Sequence, residues 1–277
     1  MSADADTQID YFSDALVNRL TECSASISQQ WNNPEGTTTR HFVLDDVLTK
    51  DDVNAIYNAF PKNGDGFFDR QSFREKKRTA TDLSQYSPIL SDITYAFQNP
   101  RVVDLITGLL ELPGIEPDPD LYASGLSMMF QGDYLNPHID NSHDAQRNRY
   151  RRLNLLFYVS PHWGLERGGN FELWDTTRTH PRTVVSHRNR LVVMETNKTS
   201  WHSVSKVIAD QPRCCVSNYY FSEVSPDATD YFHVTSFLGR PEQPLRSLLG
   251  HFDNTLRNSV SKVLKIGRGK RLINKKQ

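Results

Sequence analysis

Apolar and polar residues change their spacing twice along this chain. Near the N-terminus Ile9, Phe12, Leu16 and Leu20 recur on one helical face, with Asp10, Asp14 and Arg19 elsewhere, and the polar stretch WNNPEGTTT ends that helix. Phe42 and Leu44 then alternate as in a short strand, and Thr49 with Asp52 three residues on has the spacing of a helix-starting capping box. Residues 64–82, rich in Gly, Asp, Arg and Lys, read as a long polar loop. ILSDITYAFQ and RVVDLITGLL read as two helices separated at Asn99 and Pro100.

From Leu121 to Glu223 the period shortens. SGLSMMFQ, PHID, RLNLLFYVS, NFELW, RTVVS, RLVVME, HSVSKV and RCCVSNYYF are strand-like runs, parted by turn residues such as Gly132, Asp133, Gly168, Gly169, Asn189 and Pro212. Strands this short and closely spaced predict a sandwich or jelly roll. Beyond residue 240, PLRSLLGHFDNTLRNSVSKVLKI is helical in pattern, and from Lys262 the chain carries seven Lys or Arg and no acid. The fold class expected is therefore α+β with a β-dominated core flanked by N-terminal and C-terminal helices.

Composition narrows this picture. At 277 residues, 37% hydrophobic and 23% charged, the chain can bury one good core. Its 32 basic and 33 acidic residues give a net charge of -1, so overall charge makes no case for nucleic acid or an anionic membrane. No apolar run approaches the roughly 20 residues that span a bilayer, and MSADADTQID lacks the basic start and apolar stretch of a signal peptide, so a cytoplasmic location is expected. Cys23, Cys214 and Cys215 lack the spacing of a disulfide framework or zinc site and read as reduced thiols.

The chemistry concentrates in the strand-rich region. His138 and Asp140, two apart on an extended segment, leave the same face and can meet one ion. Two imidazoles and one carboxylate form the facial triad of non-haem iron(II), with positions left open for other ligands. His202 is the best third ligand, because it follows the NKTSW loop and opens a strand expected to pair, through a turn at Ala209–Pro212, with the strand that starts at Arg213. There Arg213 can hold a carboxylate with two charge-assisted hydrogen bonds. Ser217 shares its strand face, and Tyr158, on one face with Asn154 and Leu156, can point its hydroxyl toward them.

These residues lie in a longer pattern. Phe130 and Gly132 form an aromatic-X-Gly turn before HIDN, followed by a strand ending FYVS, the pair Gly168–Gly169 opening NFELW, then RLVVME, WHSV and RCCVS. In this order the stretch from Met128 to Phe221 resembles the prolyl-hydroxylase-like branch of iron(II)- and 2-oxoglutarate-dependent dioxygenases. The resemblance implies a double-stranded β-helix (jelly roll), with His138, Asp140 and His202 as iron ligands. It implies that Arg213 and Ser217 hold the distal carboxylate of 2-oxoglutarate, that Tyr158 donates to it, and that Phe171 and Leu173 line its pocket. It also implies dioxygen as the second co-substrate, succinate and carbon dioxide as products, and stimulation by ascorbate. Asp140 stands where related halogenases carry a small residue, which favours hydroxylation. Phe130 replaces the tyrosine of hypoxia-sensing prolyl hydroxylases, and the basic segment HDAQRNRYRR is a second departure; both fall on the substrate side.

The expected organisation is an N-terminal helical extension over 1–40, a catalytic domain over 41–236 with its jelly-roll core at about 121–223, and a C-terminal helix with basic tail over 237–277. The expected substrate is a small polar or anionic metabolite, drawn by basic loops carrying Arg70, Arg74, Lys76, Lys77 and Arg78 and then Arg147, Arg149, Arg151 and Arg152. The alternatives are a peptidyl prolyl or other side-chain hydroxylase and, from another class, a non-catalytic jelly-roll protein that binds metal or ligand. His143, His162, His180 and His187 read as exposed rather than ligating, and Trp163 and Trp174 as core.

Overall fold

The computed structural model describes residues 3–175, 179–227 and 229–240. In chain order the elements are α1 (Ala3–Glu22), α2 (Ser24–Asn32), β1 (His41–Asp45), α3 (Lys50–Ala59), β2 (Phe68–Gln71), β3 (Glu75–Ala80), α4 (Pro88–Ala96), α5 (Pro100–Leu109) and β4 (Ile115–Glu116). They continue with β5 (Gly125–Met129), β6 (Tyr134–Ile139), β7 (Tyr150–Tyr158), β8 (Phe171–Trp174), β9 (Pro181–Val184), β10 (Arg190–Glu195), β11 (His202–Val204), β12 (Arg213–Ser222) and β13 (Ser236–Phe237).

Local sequence accounts for most boundaries. Thr49 caps α3, its hydroxyl accepting from the Asp52 amide at 3.2 Å. Asn99 caps α5 by accepting from the Arg101 amide, with Pro100 in the first turn where its missing N–H costs nothing. All eight strands expected between residues 121 and 223 form, as β5 to β12.

The strands follow the order β1-β10-β7-β12-β5-β3-β6-β11-β8-β9 in one antiparallel sheet. β3 bonds to both β5 and β6, so the sheet turns there and its two halves face each other. Between them Tyr158, Phe171, Leu173, Val184, Val192, Met194 and Cys215 pack as one buried cluster drawn from both halves. This is the double-stranded β-helix, or jelly roll. The outward side chains of β7, Leu153, Leu155 and Phe157, pack instead in a core with Phe12, Leu16, Leu20, Leu90, Ile93 and Ile106 of the helices. Burial on both faces explains the nearly continuous apolar run of β7.

Four expectations change. The segment 64–82 is not a long loop: it contains the β2–β3 hairpin, whose polar sequence hid it because its inner face lines a cavity rather than an apolar core. The N-terminal helix is followed by a second, α2, which buries Ile27 and Trp31 before the polar stretch begins. β11 does not pair with β12: β11 lies between β6 and β8, β12 between β5 and β7, so residues 205–212 cross from one half of the sheet to the other. The boundary set at 236/237 falls inside β13, which pairs with β6. The C-terminal helix and basic tail lie outside the described residues.

Candidate active site

β6 brings His138 out of the sheet with its ring against Phe237 of β13, stacked at 5.0 Å and 17°. β11 runs antiparallel beside it, with His202 directly opposite His138. That register, and not a hairpin with β12, brings the third imidazole-carboxylate partner into place. Nδ1 of His138 lies 3.0 Å from the Asn136 carbonyl, and Nδ1 of His202 lies 2.9 Å from the Ser200 carbonyl. Each Nδ1–H therefore donates to main chain, which leaves the Nε2 lone pairs free.

Those two Nε2 atoms stand 3.6 Å and 3.7 Å from Oδ1 and Oδ2 of Asp140, and one ligand atom from each residue fits within 4.8 Å of the others. Oδ2 of Asp140 is buried without a hydrogen-bond partner. A buried carboxylate oxygen left open beside two imidazole lone pairs is what a divalent ion would satisfy, and the N2O donor set suits iron(II). Burial pushes the His202 imidazole down to about 3, with the charge of His138 adding to it. Burial opposes charge on Asp140 too, but Arg151 and the imidazoles outweigh it and hold the carboxyl well below its usual range. His202 and Asp140 are thus in the protonation states that bind metal.

Arg213 enters the same cavity from β12. It is buried; its Nε donates to Ser186 Oγ at 3.2 Å, and its guanidinium lies 4.6 Å over the Tyr158 ring. No carboxylate pairs with it among the described residues, so a buried cation faces the cavity in need of an anion. Gly169 makes room for it: a Cβ there would sit 2.9 Å from Arg213 Cδ, and one on Gly168 would sit 2.0 Å from the Lys206 carbonyl. Both glycines have φ near +60°, at 64° and 62°, where other residues are strained.

The two-residue period places Arg213, Cys215, Ser217 and Tyr219 along one cavity wall. Phe171 lines the cavity, of about 200 Å³, and lies 5.8 Å from the His202 ring. Leu173 does not line it and belongs to the apolar cluster between the sheet halves. Tyr158 is likewise behind the wall, beneath Arg213; burial keeps its phenol protonated, and its hydroxyl completes no hydrogen bond of normal geometry although Ser186 and Arg213 stand beside it.

Two further residues, Arg151 and Tyr219, line the cavity. Arg151 is no loop residue: it is buried in β7, 3.5 Å from Asp140 Oδ2 and 4.2 Å over the Tyr219 ring. Counting by twos from Asn154 puts it on the opposite face. The register slips between Tyr220 and Phe221, with Arg152 as the extra residue in β7, and the bulge turns Arg151 inward. Tyr219, by contrast, was legible as the next inward position after Ser217. Its phenol is raised well above its usual value by burial and then by Asp140, so it remains a proton donor.

Among the other histidines, His162, His180 and His187 are exposed. His143 is not: it is buried in an aromatic cluster, 4.3 Å from Tyr150 and 5.7 Å from Phe232. Trp163 and Trp174 are core, donating to the Gly168 carbonyl and to Ser203 Oγ. Cys214 and Cys215 are buried free thiols, raised to about 12 and about 11 chiefly by burial. No helix among the described residues is long and apolar enough to cross a membrane.

Comparison with known proteins bears on the same region. Residues 124–221 match the family described as the 2OG-Fe(II) oxygenase superfamily. The mouse (Mus musculus) protein named prolyl 3-hydroxylase OGFOD1 is 27% identical over 135 residues, a match covering 47% of this chain. That match spans only 24% of the mouse protein, about a quarter of its length. A Trichoplax adhaerens prolyl hydroxylase, solved with a hypoxia-inducible-factor peptide fragment, superposes with a TM-score of 0.53 at 14% identity, covering 80% of this chain and 94% of that one. SnoN, an α-ketoglutarate-dependent epimerase from nogalamycin biosynthesis, superposes with a TM-score of 0.52 at 14% identity, covering 80% and 87%. Sequence match, jelly-roll fold and the His138–Asp140–His202 cluster coincide in one region: the segment 124–221, which holds β5 to β11 and the cluster, is similar to the 2OG-Fe(II) oxygenase superfamily.

Proposed function

We propose that this protein is an iron(II)- and 2-oxoglutarate-dependent dioxygenase that hydroxylates a C–H bond of a substrate carrying negative charge. The observation that carries this reading is the presence, in one cavity, of the His138–Asp140–His202 cluster and a buried Arg213 without a carboxylate partner among the described residues. A protein that bound metal alone would have no use for the second feature.

His138, Asp140 and His202 would hold the iron, and Arg213 would bind the distal carboxylate of 2-oxoglutarate by a two-pronged contact, with Ser217 beside it on β12. When bound, iron and 2-oxoglutarate supply the oxidising power, with dioxygen consumed and succinate and carbon dioxide released. The chain's own work is to orient and enclose. Arg213 fixes the far end of the co-substrate, and the main-chain carbonyls behind His138 and His202 lock the rings. The wall of Phe171, Leu156 and Val204 limits water near the metal. Arg151 and Tyr219 lie beside Asp140, where Arg151 would favour an anionic group on the substrate.

Succinate production tests this. Purified chain given iron(II), 2-oxoglutarate and air should form succinate slowly without any added substrate, and His202→Ala should form none. Well-folded protein that binds iron and forms no succinate under any addition would favour the non-catalytic reading.

A further inference from the structure

The segment that matches the family model ends at residue 221, but the chain returns to the metal cluster beyond it. Residues 230–240 run antiparallel to the stretch that carries His138 and Asp140. The Tyr150 hydroxyl donates to Asp230 at 2.7 Å, the Ser142 amide to the His233 carbonyl at 3.0 Å, and the Asn141 amide to Thr235 Oγ1 at 3.2 Å. β13 then sets Ser236 opposite Ile139 and Phe237 opposite His138, and the Leu238 amide donates to the Pro137 carbonyl at 2.9 Å. At the end of this strap the Arg240 guanidinium grips Glu172 of β8 at 3.3 Å and 2.6 Å and donates to the Val204 carbonyl of β11 at 3.2 Å.

Two features of the strap bear on the metal cluster. The first is the ring of Phe237, stacked on His138. The Asn136 carbonyl holds Nδ1 of His138, but one hydrogen bond weakens only gradually with angle and tolerates some swing of the imidazole. A nearly parallel ring laid against it restricts that swing. Apolar burial alone asks for no flat face: Leu135 and Val204 fill the same buried cluster as branched chains.

The second feature is where the strap is tied. Glu172 is a buried carboxylate directly opposite Ser203, the neighbour of His202, and its other partner is the Ser203 hydroxyl. One charged, two-pronged contact therefore fastens the end of the strap to the strand pair that holds His202, three residues from the ring that faces His138.

We propose that Phe237 is a positioning residue for His138 and that the Arg240–Glu172 pair is the clasp that keeps it in place, so that a strap outside the matched segment completes the metal centre. This deepens the oxygenase reading, on which it rests only for His138, Asp140 and His202 being metal ligands. Phe237 and Arg240 act through His138 and touch no ion themselves.

The test is anaerobic titration of the full, metal-free chain with cobalt(II), following its affinity and its visible d–d bands, whose position and intensity report the arrangement of the ligands. Phe237→Ala should weaken cobalt(II) binding about tenfold, within the range found when groups that orient a metal ligand are removed, and should change the bands. Phe237→Leu keeps an apolar side chain without the flat face and should show the same change, which keeps the test open if Phe237→Ala fails to fold. Arg240→Ala should weaken binding about threefold to tenfold. Arg240→Glu should weaken it further, and the exchange Arg240→Glu with Glu172→Arg should recover most of that loss, which a general loosening of the fold cannot do. Wild-type affinity and unchanged bands in folded Phe237→Leu or in Arg240→Ala would overturn the proposal, as would an exchange variant no better than Arg240→Glu alone. A wild type that binds no cobalt(II) would bring down the metal centre and this inference with it. Weakened binding in the variants of a wild type that forms no succinate with iron would leave the role of the strap standing while the oxygenase reading fell.

Discussion

Arg213 and His202 carry different parts of the account, and single substitutions separate them. Arg213→Lys keeps the charge but loses the planar fork, so the KM for 2-oxoglutarate should rise about tenfold to a hundredfold with iron affinity little changed, as measured by succinate kinetics. The metal residues were legible because an HxD pair on a strand needs only the two-residue period. Arg151 was hidden because a single bulged residue, Arg152, reverses that period, and Leu173 was misplaced because parity gives the face of a strand but not the depth along it. Away from the site, Arg190 grips Asp45 through Nε and Nη2 at 2.6 Å and 2.7 Å, joining β1 to β10 and depressing the Asp45 carboxyl. A depressed carboxyl stabilises the fold above its unfolded value of 3.8 and loses that contribution as pH falls through the lower folded value. Half-exposed, the pair is worth about 0.5 kcal/mol after solvent screening, so Asp45→Asn should lower stability by about that much at pH 7 and by progressively less as the pH falls below 3.8. Denaturant unfolding at a series of pH values checks both sign and window.

At the scale of elements, the jelly roll depends on close approaches that short sequence patterns mark only as turns. Gly125 opens β5 with φ at 132°, and a Cβ there would lie 2.2 Å from the Ala80 carbonyl, at the end of β3 that pairs with β5. Gly125→Ala should therefore cost about 1–3 kcal/mol or more in unfolding free energy, whereas Gly132→Ala, where the nearest atom is a flexible Lys206 carbon at 4.0 Å, meets only the backbone strain. The outer helices are held by apolar burial: Leu16 of α1 is fully buried, and Leu16→Ala should cost about 2–5 kcal/mol. The strands of residues 121–223 were readable because each is bounded by turn residues and carries β-branched or aromatic side chains. The β2–β3 hairpin was not, because DRQ and EKKR serve a cavity and solvent, and strand periodicity in apolar residues exists only where a strand meets a core.

Over the whole molecule, sequence order does not reveal which strands become neighbours. β11 and β12 are consecutive yet belong to opposite halves, so His202 and Arg213 meet across the cavity by folding and not along a hairpin. The proposed function requires one cavity to bind iron through the triad and 2-oxoglutarate through Arg213 at the same time. The most direct test is anaerobic titration of iron(II) and 2-oxoglutarate into wild type, His202→Ala and Arg213→Ala, following the visible charge-transfer absorption that appears only when the keto acid chelates the metal. The wild type should develop the band, His202→Ala should lose it, and Arg213→Ala should require much more 2-oxoglutarate to reach it. A well-folded wild type that binds iron and shows no band at any 2-oxoglutarate concentration would contradict the account.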